Sequence, residues 1–486
     1  MENGKEMMDK KFINLRYIPI FVVVFLSYFI AVFFDAQILN DGDVFLHIAA
    51  GQWILQHHAV PHVDPFSYSF AQAPWVAHEW LAEVFMALAY AGAGWGGVCV
   101  LAGLAYTLAM GSMVVFVVQR GASLLAIGLV CVCSLVLTFP SLLARPHLLA
   151  LPCFVLWNIF LLRAREKGNA PPPWPVALLL LVWANLHGSF AIGLMLILPF
   201  AFEAVLAAQR ERLRVMGLWG RFMLLSCITV AITPNGWHGL FFPVQLLMQP
   251  QLAMIREWAP IPIPLIGPFV LATCMLVYVA ITRRLKMSLI RWLLLIGFGY
   301  FSLRHFRYEL LSAVFVPLIL AAPLGRLAAN GPGGQVTWRG TALQWSALVA
   351  VVGMLTGLRM AYPYKLMDQP QAPMSAIEHI PAGLRALPVL NSYGLGGILI
   401  FEGMRPVIDG RADMYGHDFM QEHSAVMAGD KKWLQAWETE FDLQWAFLAP
   451  KEALVNVLDS DPQWRRLYTS RYAIVYAKNS GSRFLP

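Results

Sequence analysis

Two aspartates separated by one residue, Asp41 and Asp43, stand in the stretch "LNDGDVFLHIAAGQWILQHH", directly after a strongly apolar run. A carboxylate at the edge of a bilayer is costly unless it faces water or a partner, so acids at this place suggest a function. They could serve a reaction that needs a base, or they could hold a divalent cation such as Mg²⁺, Mn²⁺ or Ca²⁺. The structural alternative is helix capping, since a helix is predicted to begin near residue 43.

Four arginines stand at the ends of predicted membrane spans, on the side where positive charge is disfavoured. They are Arg145 in "LLARPHLLA", Arg256 in "MIREWAP", and Arg304 and Arg307 in "LRHFRYELL". A guanidinium fork suits bidentate binding of phosphate oxygens, so these arginines are candidates for holding a lipid phosphate. The alternatives are interfacial snorkelling or pairing with Glu257 and Glu309.

Further polar residues lie close to the predicted spans and in the tail. The histidines of the first loop, His47 and His78 among them, could bind a metal with the aspartates, but no H-E-x-x-H or comparable spacing occurs. Asn185 and His187 fall in "WANLHGSF", a hairpin between spans that suits either a substrate groove or a helix-breaking turn. In the tail, "DGRADMYG" follows a predicted strand, where loops often bind ligands. Its Asp409 and Arg411 could recognise acceptor or sugar, or could form a structural salt-bridged turn.

The composition indicates what must position these residues. The chain has 486 residues, of which 58% are hydrophobic and 13% charged, and its mean hydropathy is +0.60. These values exclude an ordinary soluble domain and indicate a polytopic membrane protein. The net charge of +7 resides mainly in loops, so we do not expect nucleic-acid binding. The six cysteines all lie in apolar stretches, which argues against a disulfide framework or a thiolate metal site.

Apolar runs predict about eleven transmembrane helices. They cover roughly residues 18–35, 95–118, 122–139, 147–163, 174–187, 189–207, 222–234, 267–282, 288–303, 309–325 and 342–360. Lysines and arginines are concentrated before the first span and near residues 120, 163–167, 210–221, 283–286 and 326–339. The positive-inside rule therefore makes the amino terminus cytoplasmic, and an odd number of spans puts the tail outside.

The predicted fold class is thus mainly α, a membrane protein with a small carboxy-terminal α/β domain outside the cytoplasm. Residues 1–361 would form the transmembrane domain, including a first outer loop over 36–94, and residues 374–486 the periplasmic or extracellular domain. The loop pattern predicts an amphipathic helix over 43–58 and a second helix in "WVAHEWLAEVFMALAYAG", both along the membrane surface. In the tail, the runs "LPVLNSY", "RPVIDGR", "LQWAFLAP" and "YAIVYAK" alternate with helical patterns, which predicts a partly parallel sheet.

A first span, an outer loop with the acidic motif "NDGD", about eleven spans and an outward α/β tail resemble the GT-C superfamily of membrane glycosyltransferases, which use polyprenyl-phosphate-linked sugars. More closely, "GDVFLHIAAGQWIL", "PWVAHEWLAEVFMALAY", "WANLHGSFAIGL" and "RPVIDGRADMYG" resemble a bacterial group of GT-C-like membrane proteins, mostly without assigned function. The wider resemblance covers the whole chain as architecture, but its acidic motif is short. The closer one is specific in sequence.

The resemblance implies a glycosyltransferase of the bacterial inner membrane that acts on the outer face, by a single displacement with inversion. Asp43 would be the general base, Asp41 a less favoured candidate, and Glu79 of "HEW" a substitute for the second acidic motif of many members. The arginines would stabilise the leaving polyprenyl phosphate. The other candidate substrate-binding residues are His47, His78, Asn185, His187, Asp409 and Arg411.

The acceptor would be a hydroxyl group of a saccharide, lipid or protein. The alternatives are a transporter or flippase of a lipid-linked saccharide, a non-catalytic accessory protein of polysaccharide assembly, and a membrane-embedded ligase or polymerase. Charged residues near the middle of spans and inverted repeats are typical of transporters, and the sequence shows neither pattern.

Overall fold

The protein is described by a computed structural model covering residues 18–260, 267–329 and 342–479. The membrane part consists of helices α1 Ile18–Phe33, α2 Asp35–Ile38, α3 Gly42–His57, α4 Trp80–Gln119, α5 Leu124–Thr138, α6 Pro146–Lys167, α7 Ala177–Leu186, α8 Phe190–Ala207, α9 Arg212–Val230, α10 Gly236–Leu247, α11 Pro268–Thr282, α12 Leu289–Arg304, α13 Glu309–Ala329 and α14 Ala342–Ala361. Every predicted span overlaps one of these helices. Among these described residues, seven helical segments are long and apolar enough to cross a membrane, and three more are shorter and apolar.

The longest helix, α4, joins the predicted second loop helix to the second span. A kink separates the two parts at Ala93 and Gly94, where Gly94 has a φ of 56°. This left-handed backbone is readily adopted only by glycine, which explains why the chain can turn there without ending the helix. The part before the kink carries the residues that follow Glu79, and the part after it packs against α1 and α6.

Small residues allow the membrane helices to approach one another closely. A Cβ built on Gly103 of α4 would lie 2.8 Å from the Val32 side chain, and one on Gly193 of α8 would lie 2.6 Å from the Trp183 ring. Such contacts replace the hydrophobic driving force that lipid cannot supply between helices. Between them lies a core of large buried side chains that includes Trp157 and Tyr106.

Helix α3 differs from the amphipathic helix that the sequence predicts. Its buried residues run consecutively around the first turns, from Val44 to Ile48 apart from His47, because it is packed on two sides. One side contacts α4, and the other contacts helix α17 of the tail. A Cβ on Gly42 would lie 2.4 Å from the Gly394 carbonyl oxygen, so the glycines of "NDGD" and "YGLGG" permit this contact. The orientation of α3 to the bilayer stays a prediction.

The tail contains helices α15 Met374–Glu378, α16 Ala382–Arg385, α17 Gly396–Phe401, α18 Ala412–Met427, α19 Lys431–Glu440 and α20 Leu454–Ser460 around strands β1 Val389–Asn391, β2 Trp445–Leu448, β3 Trp464–Thr469 and β4 Ile474–Lys478. The strand order is β1-β2-β4-β3, with β1 parallel to β2 and the other pairs antiparallel. The partly parallel sheet is confirmed.

One predicted strand of the tail is wrong. "RPVIDGR" makes only a single bridge, from Pro406 to Val389. A proline has no amide hydrogen to offer a ladder, and the chain turns at once into the Asp409–Arg411 loop. The fourth strand is instead β3, which was not predicted because its sequence "WRRLYT" is largely polar and exposed.

The connections predicted to lie on one face do meet at one end of the helix bundle. The Arg145 side chain reaches Asp41 and Glu257, and His187 reaches Glu79. The Gln251 amide donates to the Ala412 carbonyl of the tail at 3.3 Å. The opposite end has its own ion pairs, among them Arg120 with Glu166 and Arg165 with Glu203. Most of the candidate site residues therefore lie together at the end that contains Arg145 and Glu79.

Candidate active site

Arg145 is the centre of a carboxylate cluster at this end. It directly precedes Pro146, the first residue of α6, and has the extended backbone that a following proline favours. Its guanidinium group forms an ion pair with Asp41, lies 3.2 Å from the Asp43 carboxylate and lies 2.8 Å from Glu257. The sequence alternative of pairing with Glu257 is thus realised. Each of its three guanidinium nitrogens already faces a carboxylate, so a phosphate would have to displace one of them, and the phosphate-binding role of Arg145 stays a prediction.

The two aspartates of the D-x-D motif have different surroundings. Asp41 is the N-cap of α3, its carboxylate accepts from the Asp43 amide at 2.9 Å, and only 4% of its side chain is exposed. The capping alternative therefore holds for Asp41. The side chain of Asp43 is 29% exposed. Burial raises the pKa of Asp43 to about 6, while the adjacent Arg145 acts in the opposite direction. A carboxylate with this pKa is suited to act as a base near neutral pH.

Glu79 lies among three imidazoles. Its carboxylate oxygens are 3.4 Å from His187 Nε2, 3.6 Å from His78 Nε2 and 3.7 Å from His47 Nε2. Burial alone would favour the neutral acid, but these histidines, His78 first, and Arg307 lower the pKa of Glu79 to about 2. Glu79 is therefore an ionised acceptor of hydrogen bonds over the whole working range of pH, and a poor base.

His47 contacts a second carboxylate as well. Its Nδ1 lies 3.2 Å from Glu83 Oε1, a buried side chain of α4. Burial opposes the charged imidazole, yet the hydrogen bond to Glu83 and the charge of Glu79 raise the pKa of His47. Asp43 and His47, four residues apart on α3, interact within one polar cluster, in which each contacts a different partner.

The predicted phosphate-binding arginines differ in their surroundings. The guanidinium group of Arg307 stacks 4.5 Å from the centre of the Trp258 ring. Within the described part of the chain it forms no ion pair, although its charge acts on Glu79 and Glu257. Arg304, the last residue of α12, is exposed, and among the described residues it too has no ion pair. The side chain of Arg256 lies outside the described part of the structure.

Asp409 and Arg411 form a closed network in the tail. Arg411 donates to both oxygens of Asp409, at 2.8 and 2.6 Å, and to Asp64 of the first loop at 2.6 Å. The Tyr415 hydroxyl donates to Asp409 at 2.6 Å. The Asp64 and Asp409 side chains are completely buried, and Arg411 is 5% exposed. This is the salt-bridged turn of the sequence alternative, and it ties the tail to the first loop. A role in substrate binding stays a prediction.

Asn185 is also occupied by protein groups. Its oxygen accepts from Trp80 Nε1 at 2.7 Å, and its amide nitrogen donates to the carbonyls of Leu181 and Ile232, at 2.8 and 3.3 Å. These bonds fix the end of α7 against the beginning of α4. His187, two residues further along, follows the end of α7 and lies beside Glu79. The hairpin thus serves as the helix-ending turn, and direct contact of Asn185 with a substrate stays a prediction.

Several residues of the site were not among the sequence candidates. Asp64 and Gly410 gave no signal that points to a site, because their partners are distant in the chain. Trp258 could have been noticed, since an aromatic residue in an outer loop beside an arginine cluster is a common platform for a cation. Tyr393, whose hydroxyl donates to the Gly410 carbonyl at 3.1 Å, belongs to the "YGLGG" stretch and was not a candidate either.

A divalent cation does not fit the aspartates in the observed arrangement. The described residues contain no group of three or more histidines, cysteines or acids that could hold a metal ion. More directly, the Arg145 guanidinium lies between Asp41 and Asp43, in the place that a cation bound by both would take. A metal held by Asp41 and Asp43 stays a prediction that requires Arg145 to move, and no step is derived through it.

Comparison with known proteins gives a match at the level of fold. No protein-family model and no curated protein matches the chain. Among solved structures, it is similar to ArnT from Cupriavidus metallidurans bound to undecaprenyl phosphate, with 13% identity, a TM-score of 0.50, and coverage of 95% of this chain and 98% of that chain. The apo state of the same protein matches with 13% identity, a TM-score of 0.51, and coverage of 95% and 97%.

The oligosaccharyltransferase of Archaeoglobus fulgidus in its apo form also matches, with 12% identity, a TM-score of 0.49, and coverage of 89% of this chain and 70% of that chain. Of these proteins, ArnT is the one whose likeness supports the fold, and it has the GT-C fold. Nearly the whole length of ArnT corresponds to nearly the whole of this chain. The chain is therefore a multi-pass membrane protein with the GT-C fold, as its sequence predicts.

Proposed function

We propose that the protein is a membrane glycosyltransferase that moves a hexosyl or pentosyl group from a polyprenyl-phosphate donor to an acceptor hydroxyl. The observation that carries the proposal is that one end of the bundle holds both a partly exposed carboxylate and a cation that forms no ion pair among the described residues. Asp43 is the carboxylate and Arg307 the cation. The shared fold with an ArnT structure that contains undecaprenyl phosphate supports a lipid phosphate as the donor.

In this mechanism Asp43 is the general base. Its carboxylate takes the proton from the acceptor hydroxyl as that oxygen attacks the anomeric carbon of the sugar. Arg145 holds the Asp43 carboxylate in place, and burial keeps it basic. The bond between the anomeric carbon and the phosphate oxygen breaks as the new glycosidic bond forms, so the configuration inverts. Asp43 carries the proton away, and polyprenyl phosphate leaves with the bonding electrons.

Arg307 stabilises the departing phosphate. The negative charge on its oxygens grows during the reaction, so a fixed guanidinium contributes more to the transition state than to the bound donor. Stacking on Trp258 holds the Arg307 group in position without using its N–H donors. The exposed Arg304, on the preceding helix, adds positive charge to the approach of an anionic lipid.

The reaction takes place on the outer face of a bacterial inner membrane. The amino terminus is cytoplasmic and the tail periplasmic or extracellular, as the distribution of lysine and arginine predicts. The ionised Glu79 and its three histidines offer acceptors and donors for sugar hydroxyls beside the base. The acceptor itself is a saccharide, lipid or protein hydroxyl.

The test is turnover by purified protein in nanodiscs with a panel of polyprenyl-phosphate sugars and membrane-extract acceptors. Asp43→Asn is expected to lower turnover by a factor of roughly 10²–10⁴ while the protein stays folded, because it loses the base but keeps the shape. Arg307→Gln is expected to lower it roughly a hundredfold. Arg210→Gln removes an exposed arginine near the opposite end and serves as the matched control.

The same assay separates the alternatives. A transferase cleaves the bond between sugar and phosphate, so free polyprenyl phosphate accumulates. A flippase returns the donor unchanged on the other face of the vesicle. Asp43→Asn with the turnover of the wild type would exclude Asp43 as the base. Donor binding without cleavage of any donor would favour the accessory protein.

A further inference from the structure

A glycine of the tail lies directly against the proposed base. A Cβ built on Gly410 would lie 2.0 Å from Asp43 Oδ1 and 2.9 Å from Asp43 Cγ. Real Cβ atoms do not approach a heavy atom this closely, so any side chain at position 410 must displace the Asp43 carboxylate or the loop. The backbone of Gly410 is outside the left-handed region. Space for Asp43, and not backbone conformation, is what requires glycine here.

The loop that carries Gly410 cannot easily move away. The residue before it, Asp409, and the residue after it, Arg411, are joined by three hydrogen bonds, including one from the Arg411 amide at 3.0 Å. Arg411 is also anchored to Asp64, which in turn accepts from the Phe66 amide at 2.8 Å. The strain of an added methyl group would therefore fall on the Asp43 side chain.

The opposite side of the carboxylate is equally fixed. Asp43 Oδ2 lies 3.2 Å from Arg145, so the carboxylate is held between a guanidinium on one oxygen and the Gly410 backbone on the other. The Tyr393 hydroxyl donates to the Gly410 carbonyl and so adds a further support to the loop. Titratable groups face Asp43 from every element around it; they are Asp41, His47, Arg145, Glu257 and Tyr393.

We infer that Gly410 is a positioning residue, held by the buried Asp64–Arg411–Asp409 network so that the tail sets the position of the Asp43 carboxylate. The proposed active site is therefore shared between the membrane part and the tail. The contact between Gly410 and Asp43 is independent of the reaction; its catalytic meaning rests on the proposed function.

The experiment is a double-mutant cycle with Gly410→Ala, Asp43→Ala and the double variant, with unfolding temperature as the first readout. Gly410→Ala is expected to lower the unfolding temperature in the wild-type background and to have almost no effect once the Asp43 side chain is removed. Gly353→Ala is the control, because a Cβ at Gly353 of α14 meets nothing within 4 Å. An equal loss in both backgrounds would show that Gly410 serves only the fold of the tail.

Catalysis supplies the second readout. Gly410→Ala is expected to reduce kcat roughly a hundredfold, as for a catalytic group misplaced by about 1 Å, with KM for the donor little changed. The acid limb of the pH profile should also move, since a displaced carboxylate is less buried. If Gly410→Ala does not fold, Tyr393→Phe removes one support of the loop and is expected to lower kcat by a smaller factor.

The two readouts fail independently. Coupling between Gly410 and Asp43 in unfolding, together with full turnover by Asp43→Asn, would refute the base assignment and leave the contact intact. Absence of coupling, together with inactivity of Asp43→Asn, would refute the positioning role and leave the base. An unchanged kcat and pH profile in a folded Gly410→Ala variant would also overturn the positioning role.

Discussion

Two arginines of this protein are surrounded by carboxylates, and they have opposite relations to solvent. Arg411 and its partners Asp64 and Asp409 are almost completely buried, and every charge has a hydrogen-bonding partner. Arg145 is 20% exposed, and its partners Asp43 and Glu257 are 29% and 30% exposed. From the sequence alone, the D-x-D motif and the D-G-R-A-D stretch suggest a functional site equally well. Burial separates them, because a closed network stabilises geometry, whereas an open one leaves a carboxylate accessible to a substrate.

The comparison also explains why the two clusters belong together. The closed Arg411 network joins the first loop to the tail, and through Gly410 it reaches the open Arg145 cluster. Charges that are fully buried and paired contribute little net stability relative to apolar residues, but removal of one partner is severe. We interpret the closed network as the rigid support and the open cluster as the site that it supports.

Substitution of the central arginine should reduce the stability of the protein more in the closed network, at Arg411, than in the open cluster, at Arg145. Arg411→Met leaves two buried carboxylates without a cation, and we expect a loss of about 3–5 kcal/mol in the free energy of unfolding. Arg145→Met should lower the free energy of unfolding by less, because the carboxylates of Asp43 and Glu257 can rotate into contact with water. Its turnover, however, should fall sharply. Equilibrium denaturation followed by tryptophan fluorescence, together with the turnover assay, measures both. Equal stability losses would remove the distinction between the clusters.

Much of the fold follows from the sequence because apolar runs report membrane helices directly. All eleven predicted spans overlap helices, and the loops predicted for one face do converge. The predictions that were missed or wrong concern segments whose structure depends on tertiary packing. Helix α10 was not predicted, since "GWHGLFFPVQLL" is short and contains a proline, and α3 is buried on more than one side because the tail covers it.

The site was predictable by residue type and much less by pairing. Asp43 and Arg145 were selected from their positions after or between spans, and Glu79 from the family resemblance, and they do gather at one end. Which of them are occupied by protein partners depends on contacts between residues far apart in the chain, such as Arg411 with Asp64. Sequence spacing contains no information on such contacts without the fold, so the closed and open clusters could not be told apart.

The acid limb in the pH dependence of turnover should come from Asp43 in the open cluster. Burial raises the pKa of Asp43 to about 6, so below that pH the base is protonated and kcat/KM should fall roughly tenfold per pH unit. Above it, the base is ionised and the rate should reach a plateau. Burial opposes ionisation of Asp409, but Arg411 lowers the pKa of Asp409, so this acid stays ionised and adds no limb.

The measurement is a profile of kcat/KM between about pH 3 and 8, with the unfolding temperature recorded at each pH so that denaturation is not mistaken for titration. Glu79, with a pKa of about 2, should not titrate in this range, so Glu79→Gln should keep the acid limb at the same pH. A limb near pH 4, the ordinary range of an exposed carboxyl group, would show that Asp43 is not buried in the working enzyme.

The smallest expected effect separates the two aspartates of the motif. Asp41→Ala removes the N-cap of α3, and we expect a loss of about 0.5–2 kcal/mol in the free energy of unfolding and only a moderate fall in turnover. Asp430→Ala is the matched control, because Asp430 caps α19 in the same way and has no contact with the site. Asp41→Asn keeps a capping oxygen and should be milder.

A folded Asp41→Asn variant as inactive as Asp43→Asn would show instead that both carboxylates share one chemical task, for which a bound cation is the simplest explanation. Titration of that variant and of the wild type with Mn²⁺ would then decide between a capping acid and a metal ligand, because only a ligand pair predicts saturable binding that each substitution weakens.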